Sequence, residues 1–221
     1  MATESRIRLS PPEVIAPRKS RLPLAAALRW LSPYEDDRMK PRVTVFVRPK
    51  AYVRICAHAG SDLRNEVGGG LVGRWRADAR TGEQFIVVEA AIPARHVRHG
   101  STYLTFTQDT LVAMHDDLGE RYPNKELVGW YHTHPRMGIF LSGYDVWLHE
   151  HFFPELWQVA LVIEPHTSIG GIFARQHDGR LDPRRYFGFY ELGEDGKGSV
   201  VHWGNLSADG AIASAEGGTQ L

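Results

Sequence analysis

The 221-residue chain has 26 basic and 26 acidic residues, so no charge imbalance calls for nucleic acid or an anionic membrane as a partner. Apolar residues make up 43% and aromatic residues 10%, enough for a sizeable core and too much for a disordered chain. The single cysteine, Cys56, excludes an internal disulfide and a CxxC zinc site.

Residues 1–40 read as a partly ordered N-terminal arm. Pro11, Pro12 and Pro17 fall early, and Arg18-Lys19-Ser20-Arg21 is a basic, solvated run. The apolar patch Leu24–Leu31 is expected to dock as a short helix, being too short to stand alone. There is no charged-then-apolar leader and no run of about 18 apolar residues, so a cytoplasmic, soluble protein is expected.

From 41 to 192 strand and helix patterns alternate. Val43–Val47 is β-branched and strand-like, and Tyr52–Leu63 has helical spacing, with Cys56 as core filler. Gly70–Trp75 and Phe85–Ile92 read as strands joined by the turn Ala77–Gly82. Asp109–Tyr122 is a second helix, with Leu111, Met114 and Leu118 on one face. Leu127–His134 is a buried strand stopped by Pro135, and Tyr144–Phe153 a third helix closed by Pro154. Trp157–Ile163, Gly171–Ala174 and Tyr186–Tyr190 add strands. The residues from 193 to 221, rich in Gly, Ser, Ala and Asp, read as a flexible C-terminal tail. The pattern predicts one α/β domain, a mixed sheet flanked by helices.

Three sequence features carry chemistry. In His132-Thr133-His134, residues two apart on a strand face the same way, so both rings leave the strand end together. That arrangement suits two legs of a tetrahedral metal site; alone, it equally describes two buried structural histidines. Ser142-Gly143-Tyr144-Asp145 is a helix capping box, and it also sets a carboxylate at a helix start six residues beyond Pro135. Asp145 then serves as a third, oxygen ligand, and two histidines with one carboxylate and an open position form the catalytic zinc pattern. Glu66, followed by Gly68, Gly69 and Gly70, is either a solvated loop carboxylate or a proton carrier beside a metal-bound water.

Taken together, His132-Thr133-His134-Pro135, six residues, then Ser142 and Asp145 resemble the JAMM (MPN-plus) metalloprotease motif. Glu66 with Gly69, Leu71 and Gly73 resembles that family's upstream Glu element, and the likeness spans about residues 40–192. The resemblance implies a single MPN-like (cytidine-deaminase-like) domain with Zn²⁺ held by His132, His134 and Asp145. It implies Glu66 as general base and then acid, and Ser142 polarising the scissile carbonyl. Its implied substrate is a ubiquitin-like protein, cut after the C-terminal glycine. The six-residue loop Arg136–Leu141 lacks the Cys frequent in eukaryotic members, and Asp145 is soon followed by Pro154. The chain thus resembles bacterial members that accompany ubiquitin-like proteins with activating and conjugating enzymes, some in antiphage systems.

Ser101–Phe106 alternates in a way suited to pairing with the substrate's tail, or to an ordinary strand. His149 and His151 lie two apart on a helix and cannot share a face, so they read as surface or packing groups. His96 and His99 read as solvated loop residues, with substrate contact as the alternative, and Trp130, Tyr131, Trp147 and Trp157 as mostly core. Two other functions compete: an MPN-type scaffold that assembles through its N-terminal arm, and a hydrolase releasing an amino acid from a sulfur-carrier protein.

Overall fold

The computed structural model describes residues 16–34, 40–95, 97–99, 104–194 and 196–209. In chain order the elements are β1 (Arg18–Ser20), a 3₁₀ turn (Leu24–Ala26), β2 (Ala27–Leu31), β3 (Thr44–Val47) and α1 (Pro49–Ala59). Next come β4 (Gly68–Asp78), β5 (Gln84–Pro93), β6 (Arg98–His99), β7 (Leu104–Thr105) and α2 (Gln108–Arg121). The chain continues with β8 (Glu126–Thr133), α3 (Gly143–Phe152), β9 (Val159–Glu164), β10 (Ile169–Phe173), β11 (Phe189–Leu192) and β12 (Ser207–Asp209). Ten strands form one sheet in the order β10-β9-β8-β4-β5-β3-β11-β2-β12, with β1 also on β4, while β6 and β7 pair separately. The expected mixed sheet with three flanking α-helices is what forms.

β8 explains the placement of the site. Every residue of β8 from Leu127 to Thr133 is buried, as a strand covered on both faces must be. It runs antiparallel to β4 and parallel to β9. A bulge shifts its register between Leu71 and Val72 of β4, opposite Gly129 and Leu127. Gly129 is obligatory at that bend, because a Cβ there would lie 2.0 Å from the Val159 carbonyl oxygen. Beyond the bulge Gly68 faces His132, and the parallel pairing with β9 reaches Thr133.

Two sequence expectations are corrected. Leu24–Leu31 is not a helix: after one 3₁₀ turn it becomes β2, which lies between β11 and β12. Two strand edges supply backbone partners that an isolated apolar patch would have to find within a helix. The segment from 193 onward is not a free tail as far as Asp209: Val201, Trp203 and Leu206 are buried in the core, and β12 pairs with β2. Trp203 packs on Tyr52 and Phe189, with ring centroids 4.9 and 5.8 Å away. The Gly- and Ser-rich composition around these three anchors hid them. Residues 1–15 and 210–221 lie outside the described residues.

Cys56 is half-buried, and burial pushes its thiol up to about 11, as expected of inert core filler. Among the described residues, no helix is long and apolar enough to cross a membrane.

Candidate metal centre

His132 is the next-to-last residue of β8 and His134 follows directly after its end, ahead of Pro135, while Asp145 enters from the first turn of α3. His132 Nε2 and His134 Nε2 lie 2.9 Å apart. Asp145 Oδ1 is 3.4 Å from His132 Nε2, and Oδ2 is 3.7 Å from His134 Nε2. All three side chains are buried, and their ligand atoms lie within 4.8 Å of one another. Ligands about 2.0–2.1 Å from one tetrahedral ion sit roughly 3.3 Å apart, so the observed spacings bracket what a small cation needs. The donor set of two imidazole nitrogens and one carboxylate therefore fits a metal, and these three residues would hold it.

Sequence-local hydrogen bonds set the third ligand. Ser142 N donates to Asp145 Oδ2 at 2.7 Å, and Asp145 N donates to Ser142 Oγ at 3.2 Å, closing the expected capping box. The cap and the ligand are thus one device. Burial opposes ionisation of Asp145 most strongly, yet the charge of His132 and hydrogen bonds from His132, His134 and Ser142 hold its carboxyl well below the usual range.

Glu66 comes from a different element, and the charges of His134 and Asp145 both act on its carboxyl. It is 3% exposed, in the loop between α1 and β4. Burial pushes its carboxyl up to about 7; the charge of His134 opposes the rise and that of Asp145 adds to it. The solvated-loop reading of Glu66 is thereby ruled out. The loop is clipped to β8 by Thr133, between the two histidines: Val67 N donates to Thr133 Oγ1 at 2.9 Å, and Thr133 N to the Val67 carbonyl at 2.8 Å. Gly68 completes the fit, since a Cβ there would lie 2.5 Å from both the Tyr131 carbonyl and Leu104 Cδ2.

Several residues at the site escaped the sequence reading. Buried Glu164, at the end of β9, accepts from Arg136 N at 3.1 Å, His166 N at 2.9 Å and Thr167 N at 2.8 Å, and also from the Thr167 hydroxyl. It fixes the turn after Pro135, where Arg136 takes a φ of 62°. Phe140 lies 4.6 Å from the His134 ring. Glu164 showed no motif, because three of its partners are backbone amides and the fourth is a nearby hydroxyl. His149 is a packing group, fully buried behind Trp130 and not at the ligand cluster. His151 is exposed, its ring 4.6 Å from that of Trp147. Trp130, Tyr131 and Trp157 are core, but Trp147 is 43% exposed on the outer face of α3. His99 falls in β6, while His96, Ser101 and Tyr103 lie outside the described residues.

Fold and site together define an α/β domain that presents a His-His-Asp metal-binding group at the end of a central strand. The profile of the family described as JAB1/Mov34/MPN/PAD-1 ubiquitin protease matches residues 41–154, just over half of the chain. The chain belongs to this family, and its domain is an MPN domain. The chain is also similar to the solution structure of protein DSY2949 from Desulfitobacterium hafniense, at 21% identity and a TM-score of 0.49. That match covers 68% of this chain and 94% of the other.

Proposed function

We propose that the protein is a zinc-dependent hydrolase that cuts the peptide or isopeptide bond after the C-terminal glycine of a ubiquitin-like protein. The observation that carries this reading is the buried convergence of His132, His134 and Asp145 with a Glu66 whose carboxyl is pushed up to about 7. Family membership points the same way. Zinc, when bound, lowers the pKa of its water to about 7 and polarises a carbonyl oxygen.

The chain's own residues do the rest. Glu66 takes a proton from the attacking water and returns it to the leaving amine. A group that titrates near the working pH can do both, which contributes about 10²–10⁴-fold. The Ser142 hydroxyl accepts from Asp145 N and keeps its own O–H as a donor. That proton would stabilise negative charge on the scissile carbonyl oxygen. The substrate's extended tail would approach along β7, whose Leu104 packs against Gly68 beside the zinc strand. Leu104 is core, so half-buried Thr105 is the better position at which to test tail pairing by substitution with proline. Activating and conjugating enzymes of the same system would be further partners.

The test is incubation with fusions of candidate ubiquitin-like proteins, with and without a chelator, alongside metal analysis. One zinc per chain and chelator-sensitive cleavage after the terminal glycine are expected. Protein purified without chelator that carries no zinc and takes none up would overturn the reading. The scaffold alternative predicts that Glu66→Gln changes nothing, and a sulfur-carrier conjugate as the only substrate cleaved would establish the other hydrolase.

A further inference from the structure

Ligating histidines almost always donate the second ring N–H to a carboxylate, carbonyl or water, which fixes the ring plane. Among the described residues, the buried Nδ1 atoms of His132 and His134 have no hydrogen-bond partner. Packing sets the planes instead. The His132 ring stacks on the Trp130 indole, with centroids 4.6 Å apart and planes 11° apart. On its other side Trp130 packs against Phe153 at 6.1 Å, with planes 19° apart.

The indole is pinned in turn. Trp130 Nε1 donates to His149 Nδ1 at 3.1 Å. His149 Nε2 lies 2.8 Å from Arg175 Nη1, and Nη1 also reaches the carbonyls of Phe153 at 3.3 Å and Glu155 at 3.2 Å. Both neighbours of the imidazole are donors only, and a neutral ring has one lone pair to offer. The hydrogen bond from Trp130 requires the lone pair at Nδ1, with the Arg175 Nη1 hydrogens directed to the carbonyls of Phe153 and Glu155. Burial, with the Arg175 charge, pushes His149 down to about 3 and keeps it neutral.

The geometry points to His149 as a positioning residue for the metal centre: through Trp130 it fixes the plane of the His132 ring, the task a hydrogen bond to Nδ1 performs elsewhere. This rests on the proposed zinc site but is separable from it. His149→Phe keeps an aromatic ring against Phe153 and removes the acceptor. His149→Asn returns an acceptor close to the Nδ1 position. Trp130→Phe keeps a stacked ring and removes the donor, leaving His149 and Arg175 in place.

Three readouts are taken on each protein: melting temperature of the metal-free form, zinc dissociation constant by competition with a chromophoric chelator, and the visible spectrum of the cobalt-substituted form. Loss of outer-shell support typically weakens metal binding 10–100-fold, so His149→Phe and Trp130→Phe are expected to lose about 10-fold, with a changed cobalt spectrum. His149→Asn is expected to recover to within about 3-fold of wild type. The imidazole proton resonances of His132 in the metal-free protein, shifted upfield by the stacked indole, should move back in His149→Phe. A folded His149→Phe protein with wild-type zinc affinity, cobalt spectrum and His132 resonances overturns the inference and leaves the zinc site standing. A wild-type protein that binds no zinc overturns the functional proposal, and the His132 resonances then decide the positioning role alone. Should His149→Phe not fold, Trp130→Phe carries the same comparison.

Discussion

Asp145 and Glu66 are both buried carboxylates at one site, 5% and 3% exposed, and their protons are held in opposite ways. Asp145 begins a helix and is surrounded by donors: the Ser142 amide and both histidine rings. Glu66 is on a loop, where burial is the dominant influence and, among the described residues, the charge of His134 is what opposes the rise. The same functional group is thus held as an anion in one setting and has its ionisation opposed by burial in the other. Two titratable groups whose surroundings push their pKa values apart are how acid–base roles are assigned.

The largest expected effect comes from removing the anion. Asp145→Ala should lose both the metal and all turnover, measured by metal analysis and fusion cleavage, as should His134→Ala. Retention of zinc by either variant would place the metal elsewhere.

Glu66→Gln should keep the metal and lose about 10²–10⁴-fold in turnover. It also sharpens the comparison through stability. The folded carboxyl titrates near 7, above its ordinary 4.5, so between those values the folded state binds more protons than the unfolded state. The contribution of Glu66 to the stability of the metal-free wild type therefore falls as pH rises from about 4.5 to about 7, and stays lower above that. Gln carries no charge at any pH. Metal-free Glu66→Gln should be more stable than wild type at pH 8, by on the order of 2 kcal/mol, and about equal near pH 4.5. Parallel pH–melting curves for the two proteins would show that Glu66 is not desolvated.

Thr133→Val keeps the shape of the side chain and leaves the Val67 amide without its acceptor, which should cost about 1–3 kcal/mol. Turnover should fall more than zinc affinity, because the freed loop carries Glu66, and Thr133→Ser should restore both. Equal losses in turnover and metal would mean that the clip serves β8 and not the loop. Smallest is Ser142→Ala, where loss of the cap should cost about 1 kcal/mol in chemical denaturation. A turnover loss much larger than that would separate the carbonyl-polarising role of Ser142 from its capping role.

What the sequence made legible follows from how local each cause is. His132 and His134 share a face by strand geometry alone, and the capping box that places Asp145 is complete within four residues. Those parts could be read without the fold. Glu66 was legible only through its resemblance to a motif, since its burial depends on Thr133, 67 positions away. His149 passed as a packing residue because its significance lies in Trp130 and Arg175, on β8 and just after β10. Leu24–Leu31 misled because a short apolar patch fits either period, and β11 and β12 decided for the strand. Trp147 misled in the other direction: aromatic identity suggested core, but its position on α3 faces outward.

The course of β2 bears on how the chain can be trimmed. Segments far apart in sequence meet there: β2 comes from residues before the family match, β12 from the last described residues, and β11 from the strand that ends at Leu192. Deleting residues 1–40, which the family match would permit, takes a strand from the middle of this three-strand wing, leaves β12 without its partner and leaves β11 paired on one side, to β3. Such a truncate retains every residue of the metal site. It also presents two raw strand edges to other copies of itself, so its failure in solution would be precipitation, with the chemistry still encoded in the chain.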